Sequence, residues 1–205
     1  MKLLKLDLDI DSIIIGERVK GGIYRPCLET IPSSTVQGAF KYALGIDVRG
    51  VGFFEAGTYE IRDFTYSVKD KFFEIAKMPF TSSCLYPSGR ENIKAVIYLI
   101  QNGSTDKNNF QNLTLTIGAL KSKGFGKARV VNVEEIESEI KQGLLNARVL
   151  ASEASLFGIT VLSPIYGYLF YVENPFSGIY KRALFEESLV TAPEVFLKEA
   201  TFYDE

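Results

Sequence analysis

The first ten residues alternate. In "LLKLDLDI", Leu4, Leu6, Leu8 and Ile10 share one face while Lys5, Asp7 and Asp9 share the other, the period-two pattern of a half-buried strand. The segment "IGERVKGGIYRPCLET" replaces alternation with glycine and charge and reads as a loop. In "IPSSTVQGAFKYALG" the period changes. Val36, Phe40 and Ala43 recur near helical spacing, Ser33, Ser34 or Thr35 offers an N-cap, and Gly45 suits the position just past the end. "TYEIRDFTYSV" alternates again as a strand, "KDKFFEIAK" fits either pattern, and "IKAVIYLI" predicts a buried strand. After "QNGST", Asp106 is placed to cap a helix through "KNNFQNLTLTIGAL". Phe110, Leu113 and Ile117 have the spacing for it, and the threonines oppose it. "KARVVNV" predicts a further strand. Beyond it come a short acidic helix over "EEIESEIKQGLLNA", strands over "FGITVLS" and "YGYLFYVEN", and a mixed tail.

Read in order, residues 1–133 give strand, helix, strand, strand, helix, strand. This is the split β-α-β order of an α+β, ferredoxin-like βαββαβ domain with insertions. Residues 134–205 form an acidic extension expected to pack on the same domain. A chain of 205 residues fits one large domain, and neither a repeat nor a low-complexity linker divides it.

Charge sharpens the division. Residues 1–131 hold 18 Lys/Arg against 13 Asp/Glu, a net +5, and residues 132–205 hold 5 against 12, a net −7. A basic body suits a polyanion, and an acidic tail suits a basic protein neighbour. Two solvated faces give the same numbers. Cys27 and Cys84 form no CxxC pair, which speaks against a zinc knuckle or disulfide framework and for a reduced, cytoplasmic setting. Asp7, Asp9 and Asp11 interrupt what a signal peptide would need as an apolar run, and the longest apolar stretches are strand-sized. No membrane partner is expected.

The basic charge has a focus. "GALKSKGFGKARV" (Gly118–Val130) carries Lys121, Lys123, Lys127 and Arg129 with no acidic residue, and glycines at Gly118, Gly124 and Gly126. It is not a Walker A loop, because Ala128 follows Gly126-Lys127 where Ser or Thr is required and Lys121 stands where the first Gly belongs. It is not a dinucleotide fingerprint either, because Arg129 replaces the third Gly and the loop leads into a strand rather than a helix. No cofactor or small-molecule substrate is indicated. What remains is a longer polyanion. Glycines let backbone N–H groups form an anion nest, the lysines and Ser122 add contacts, and Phe125 offers a ring for a base. The bland reading of the same residues is a turn with solvated lysines.

Three segments in order resemble one family. "GALKSKGFGKARV" is similar to the C-terminal glycine-rich loop of the RAMP superfamily, the repeat-associated mysterious proteins of CRISPR RNA-guided complexes. "IPSSTVQGAFKYALG" is similar to that family's first-helix signature, and "SIIIG" (Ser12–Gly16) to the sequence after its first strand. The resemblance covers most of residues 1–131. It implies an RRM-related ferredoxin-like domain that binds guide RNA, together with other protein subunits, inside a ribonucleoprotein of the type III kind. It also implies an RNA contact at Lys121, Ser122, Lys123, Gly124, Phe125, Gly126, Lys127 and Arg129. The start of the first helix, Ser33, Ser34 and Thr35 with Gln37 and Lys41 further along, would offer N–H groups, hydroxyls and a positive dipole end to a phosphate. Arg18, Lys20 and Arg25 would line the same groove.

Members that process repeat RNA commonly use a histidine, and this chain has none. Target-slicing members carry an aspartate between the first strand and first helix. "GERVKGGIYRPCLET" has none there, although Glu17 and Glu29 are present. A metal held by Asp7, Asp9 and Asp11 is the remaining catalytic option. Against it stands the polar face of an amphipathic strand. The expectation is a non-catalytic, metal-free guide-RNA subunit, either a cap on the 5′ handle or part of the filament. The alternatives are a repeat-RNA endonuclease on the same fold and a protein-interaction module whose working surface is the acidic extension.

Overall fold

The structure is a computed structural model and describes residues 1–16, 24–67, 72, 75, 79–101, 107–174 and 177–198. These residues are mostly strand. In chain order they form β1 (Lys2–Ile10), β2 (Tyr24–Arg25), β3 (Thr30–Ile31), α1 (Ser33–Leu44), β4 (Gly50–Phe54), β5 (Tyr59–Tyr66), β6 (Phe80–Pro87) and β7 (Ile93–Ile100). There follow β8 (Thr114–Thr116), β9 (Lys127–Glu137), β10 (Ile140–Leu144), β11 (Val149–Leu150), β12 (Thr160–Ser163), β13 (Tyr166–Asn174), β14 (Ser177–Leu184) and β15 (Leu189–Pro193). α1 is the one α-helix among the described residues.

The main sheet has the order β3-β4-β7-β1-β9-β8, with every neighbouring pair antiparallel. β1 is central because its alternation works on both sides. Leu4, Leu6, Leu8 and Ile10 pair across to Leu99, Ile97, Ala95 and Ile93 of β7 and point to the side covered by α1. The helix contributes Val36, Ala39 and Phe40 to this core, and Phe40 meets Phe110 edge-on with 5.5 Å between centroids. On the opposite face Leu3, Val51 and Ile100 join a second core with Leu145, Val149, Phe157, Val190 and Phe196. Much of the C-terminal third is therefore built onto the back of the sheet, while β11 and β13 pack on α1. Residue 133 lies inside β9, which runs without a break into that third.

Several sequence expectations need correction. The helix predicted over "KNNFQNLTLTIGAL" is a single 3-10 turn, Lys107–Asn109, followed by β8. The same apolar residues that fit a helical period also alternate: Leu115 and Ile117 are buried, and β-branched Thr114 and Thr116 flank Leu115. Asn112, with φ 58°, breaks any helix before β8 begins. Its proposed cap, Asp106, lies outside the described residues, as do residues 17–23 of the first loop and most of "KDKFFEIAK". The acidic helix predicted over "EEIESEIKQGLLNA" is the end of β9 followed by β10. The ladder with β1 runs through this stretch, and across it Lys5 reaches Glu134 at 2.7 Å and Lys2 reaches Glu137 at 3.8 Å. "TYEIRDFTYSV" is a strand as expected, β5, but it lies in a separate sheet of order β2-β6-β5. The place beside β7 belongs to β4, the unpredicted "GVGFF". Two further three-stranded sheets, β10-β15-β12 and β11-β14-β13, complete the fold.

Helix α1 begins differently from its sequence reading. Pro32 takes the N-cap position and no side chain caps the end. Ser33 is buried; its N–H donates to the Arg148 carbonyl at 3.0 Å, and its hydroxyl accepts the Leu150 N–H at 3.2 Å. The serine thus fastens the helix to β11 instead of closing its own first turn. Gly45 does end the helix, donating its N–H to the Lys41 carbonyl. Ser33→Ala is expected to leave the Leu150 N–H buried and unpaired, at roughly 1–3 kcal/mol in stability. Equilibrium urea unfolding checks this, and an unchanged midpoint sinks it.

Candidate nucleic-acid interface

Helix α1 presents a stripe away from the core. Ser34, Thr35, Gly38, Lys41 and Tyr42 recur at three- and four-residue spacing and form one wall of a groove of about 900 Å³. Tyr42 is 80% exposed, so this ring serves no core. The second wall is Gly118, Ala119 and Lys121 from the glycine loop, with Ile15, Gly16 and Leu28 beside them. The third comes from the β13–β14 hairpin, whose Tyr168, Phe170, Val172 and Tyr180 face the groove. Arg148 and Phe185 also line it.

The glycine loop is held tightly, but not as an anion nest. The Gly126 N–H donates to the Ser12 carbonyl at 2.7 Å, the Ala119 N–H to the Ile14 carbonyl at 2.7 Å, and the Gly124 N–H to the Lys121 carbonyl at 3.1 Å. Two of these three amides are consumed by the segment after β1, and the third by the loop itself. Gly118 and Gly126 are there for close approach: a Cβ on Gly118 would stand 2.3 Å from the Ile14 oxygen, and one on Gly126 1.9 Å from the Ile117 oxygen. Phe125 is buried against Phe64 and Tyr86, with centroids at 5.0 and 5.9 Å, so its ring anchors the loop and does not receive a base.

Charge inside the groove is sparse: Lys41, Lys121 and Arg148 line it, with Glu173 of β13 as the opposing acid. The Lys121 ammonium lies 5.1 Å from the Tyr42 ring centre, joining the loop to the helix. Burial holds its pKa below the ordinary lysine value. Arg148 donates Nε–H to both Glu186 carboxylate oxygens at 2.9 and 2.7 Å, and its guanidinium sits 4.2 Å over the Phe185 ring. Glu186 also accepts the Thr30 hydroxyl at 2.9 Å. This pairing fixes Arg148 at the groove wall.

The structure sorts the sequence candidates. Ser34, Thr35, Lys41 and Lys121 meet in the groove. Ser33 and Gln37 are buried beneath it; Gln37 donates to Asp47 at 2.5 Å and to the Tyr171 hydroxyl at 3.3 Å. Ser122, Lys123 and Gly124 form the exposed tip of the loop. Lys127 and Arg129 are exposed on β9, with Arg129 donating to Asn112 at 3.4 Å. Arg25 sits on β2, over the Phe80 ring. Arg18 and Lys20 lie outside the described residues. Sequence reasoning finds a strand in "YGYLFYVEN" and misses its aromatic wall, although four of its nine residues are aromatic. Arg148 carries no signal at all.

The acidic candidates are engaged elsewhere. Asp9 accepts from Lys94 at 2.8 Å, and Asp7 from Asn132 at 3.0 Å with Lys5 at 3.3 Å. Among the described residues no cluster of His, Cys, Asp or Glu suits a metal ion. Glu29 accepts the Tyr59 hydroxyl at 2.6 Å. Burial pushes the Cys27 thiol up to about 11, so it is a thiol and not a nucleophilic thiolate near neutrality. No helix among the described residues is long and apolar enough to cross a membrane.

The sequence matches no protein-family model and no curated protein. The fold is similar to a chain of the Type III-B Cmr-beta complex bound to cognate target RNA, solved by cryo-EM. The TM-score is 0.59 at 11% identity, over 93% of this chain and 86% of that one. A chain of the same complex bound to cognate target RNA and AMPPnP, in state 1, gives a TM-score of 0.58 at 10% identity over 92% and 86%. At such identity the likeness is one of fold, and it runs nearly the full length of both chains.

Proposed function

We propose that this protein is a non-catalytic guide-RNA-binding subunit of a type III CRISPR effector complex, either capping the 5′ handle or standing in the filament. The observation that carries the reading is the groove. It gathers a helix start, a lysine from a glycine loop and an aromatic hairpin into one open channel on a chain whose fold resembles a chain of a Cmr-beta complex that is bound to target RNA. The RAMP assignment gains support from strand order. Reading β1, β4, β7 and β9 as the four strands of a ferredoxin-like sheet gives the order β4-β7-β1-β9, with α1 between the first two. The second helix of that plan has no counterpart over residues 107–117.

The groove's composition suits a single strand bound without regard to sequence. Ring faces on Tyr42, Tyr168 and Phe170 accept any base, at ~1–3 kcal/mol per stacked base. Phosphates fit the α1 start, where Ser34 and Thr35 add hydroxyls, and the far end of the same wall, where Lys41 and Lys121 add charge beside the last turn. Sequence is then left to the guide itself. The acidic surface of the C-terminal third outside the groove, including exposed Glu135 and Glu139, faces neighbouring subunits in this reading.

The test is a filter-binding titration of CRISPR repeat-spacer RNA and a scrambled RNA of equal length at two salt concentrations, with the products run on a denaturing gel. Salt-sensitive binding with intact RNA is expected, and preference for the repeat would assign the handle cap. A discrete cleavage product would replace this reading with the endonuclease, and failure to bind either RNA would remove it.

A further inference from the structure

The glycine loop has a second side. Away from the groove, Phe125 begins a row of rings that continues past the point where a core is needed. Phe64 packs on Phe125, and Phe64 and Tyr66, two apart on β5, stack with ring planes 24° apart and centroids at 5.9 Å. Tyr66 meets Phe80 across the β5–β6 ladder at 6.2 Å, and Arg25 of β2 covers the Phe80 ring at 5.2 Å. The end nearest the loop is closed: Phe125, Cys84 and Ile14 are buried together. The far end is open. Tyr66 and Phe80 are only half-buried, and Tyr24 beside Arg25 is 50% exposed. An aliphatic core would seal such an end. This one finishes in aromatic faces and a guanidinium, the pair of groups that accept bases and phosphates.

We propose that Tyr66, Phe80 and Arg25 form a second contact for single-stranded RNA, distinct from the groove and reached by the same strand. The inference rests on the groove reading, because continuity with the groove is what selects RNA as the occupant. Leu28, three residues after Arg25, lines the groove, and Lys121, four residues before Phe125, does so from the other side. Three residues of chain span at most about 10 Å, so Arg25 stands close to the groove wall at Leu28, and a strand leaving the groove on that side is placed to reach these rings. There bases stack on Tyr66 and Phe80, and the Arg25 guanidinium meets the following phosphate. The protein's footprint on RNA becomes bipartite, with the buried Phe125 as the pivot between its halves.

The experiment compares an RNA of about four nucleotides with one of about twelve, spanning the usual site sizes of single-strand binders. Phe80→Leu and Tyr66→Leu keep apolar bulk and remove the stacking faces. Each is expected to weaken the longer RNA roughly five- to tenfold while leaving the shorter unchanged. Arg25→Ala is expected to do the same with a reduced salt dependence. Tyr42→Ala, in the groove, is expected to weaken both RNAs. Unchanged affinity of the longer RNA in both leucine variants overturns the second contact, whatever Tyr42→Ala does. Equal loss on both RNAs overturns it as well, since the strip would then act only by supporting the groove. If Tyr42→Ala alters neither RNA, the groove reading is what fails. Loss of assembly with neighbouring subunits at unchanged RNA affinity would assign the strip to protein and overturn the proposal.

Discussion

Gly126→Ala is expected to be the most damaging glycine-to-alanine change among the described residues. Two penalties act on one atom. Gly126 has φ 84°, a region in which side chains are strained, and the added Cβ would stand 1.9 Å from the Ile117 oxygen. That oxygen is backbone, so relief requires separating the loop from β8. It also loosens the Ile117 N–H to Gly126 carbonyl bond of 2.8 Å and the Gly126 N–H to Ser12 carbonyl bond of 2.7 Å. Strain and overpacking together are expected to remove roughly 2–5 kcal/mol, lowering Tm by about 5–15 °C for a chain of this size. Gly124→Ala is the internal control. Its φ is 92°, but nothing lies within 4 Å of the added methyl, so only the strain of roughly 1–3 kcal/mol remains. Calorimetry on the two variants decides the matter. Equal Tm shifts would mean that close approach does not select glycine at position 126.

The same loop shows how far the sequence could be read. Its location was legible, because glycine spacing and a run of lysines without an acid are local properties. Its mechanism was not. The amides of Gly126 and Ala119, which look free in sequence, are taken by Ser12 and Ile14, residues on the far side of the helix and seven strands of the chain. Ring burial at Phe125 likewise depends on β5 and β6, which no local pattern places beside the loop. β1, β7, α1 and β13 were legible because each carries one clear period. The stretch 107–117 was not, since Phe110, Leu113 and Ile117 satisfy a helical period while Leu113, Leu115 and Ile117 satisfy a strand period. Acidic residues 134–139 misled for a different reason: their helical propensity is overridden by the ladder that pairs Glu134–Glu137 with β1, a partner far away in sequence. The aromatic wall of the groove was visible letter by letter in "YGYLFYVEN". What could not be read was that this hairpin folds back against α1, where Gln37 donates to Tyr171 across 134 positions of sequence.

The groove makes the lysines of the loop unequal, and RNA affinity should report that. A sequence-level view expects Lys121, Lys123 and Lys127 to contribute alike. In the structure Lys121 lines the groove beside Tyr42, while Lys123 tops the exposed turn and Lys127 lies on β9. The double variant Lys41→Ala/Lys121→Ala is therefore expected to lower the slope of log affinity against log salt by about 1.4, at ~0.7 for each phosphate of a single strand that is no longer neutralised. Lys123→Ala/Lys127→Ala is expected to leave that slope nearly unchanged. Tyr42→Ala removes a stacking face together with the ring that steadies Lys121. Its expected cost is about 1–3 kcal/mol of binding, a five- to 150-fold rise in Kd, with little change in slope. The division of labour is what distinguishes a groove from a charged surface, because a surface loses affinity in proportion to the charges removed, wherever they sit. Titrations of the three variants at several salt concentrations separate the cases. If Lys123→Ala/Lys127→Ala costs as much as Lys41→Ala/Lys121→Ala, RNA runs over the outside of the glycine loop and the groove is not its path.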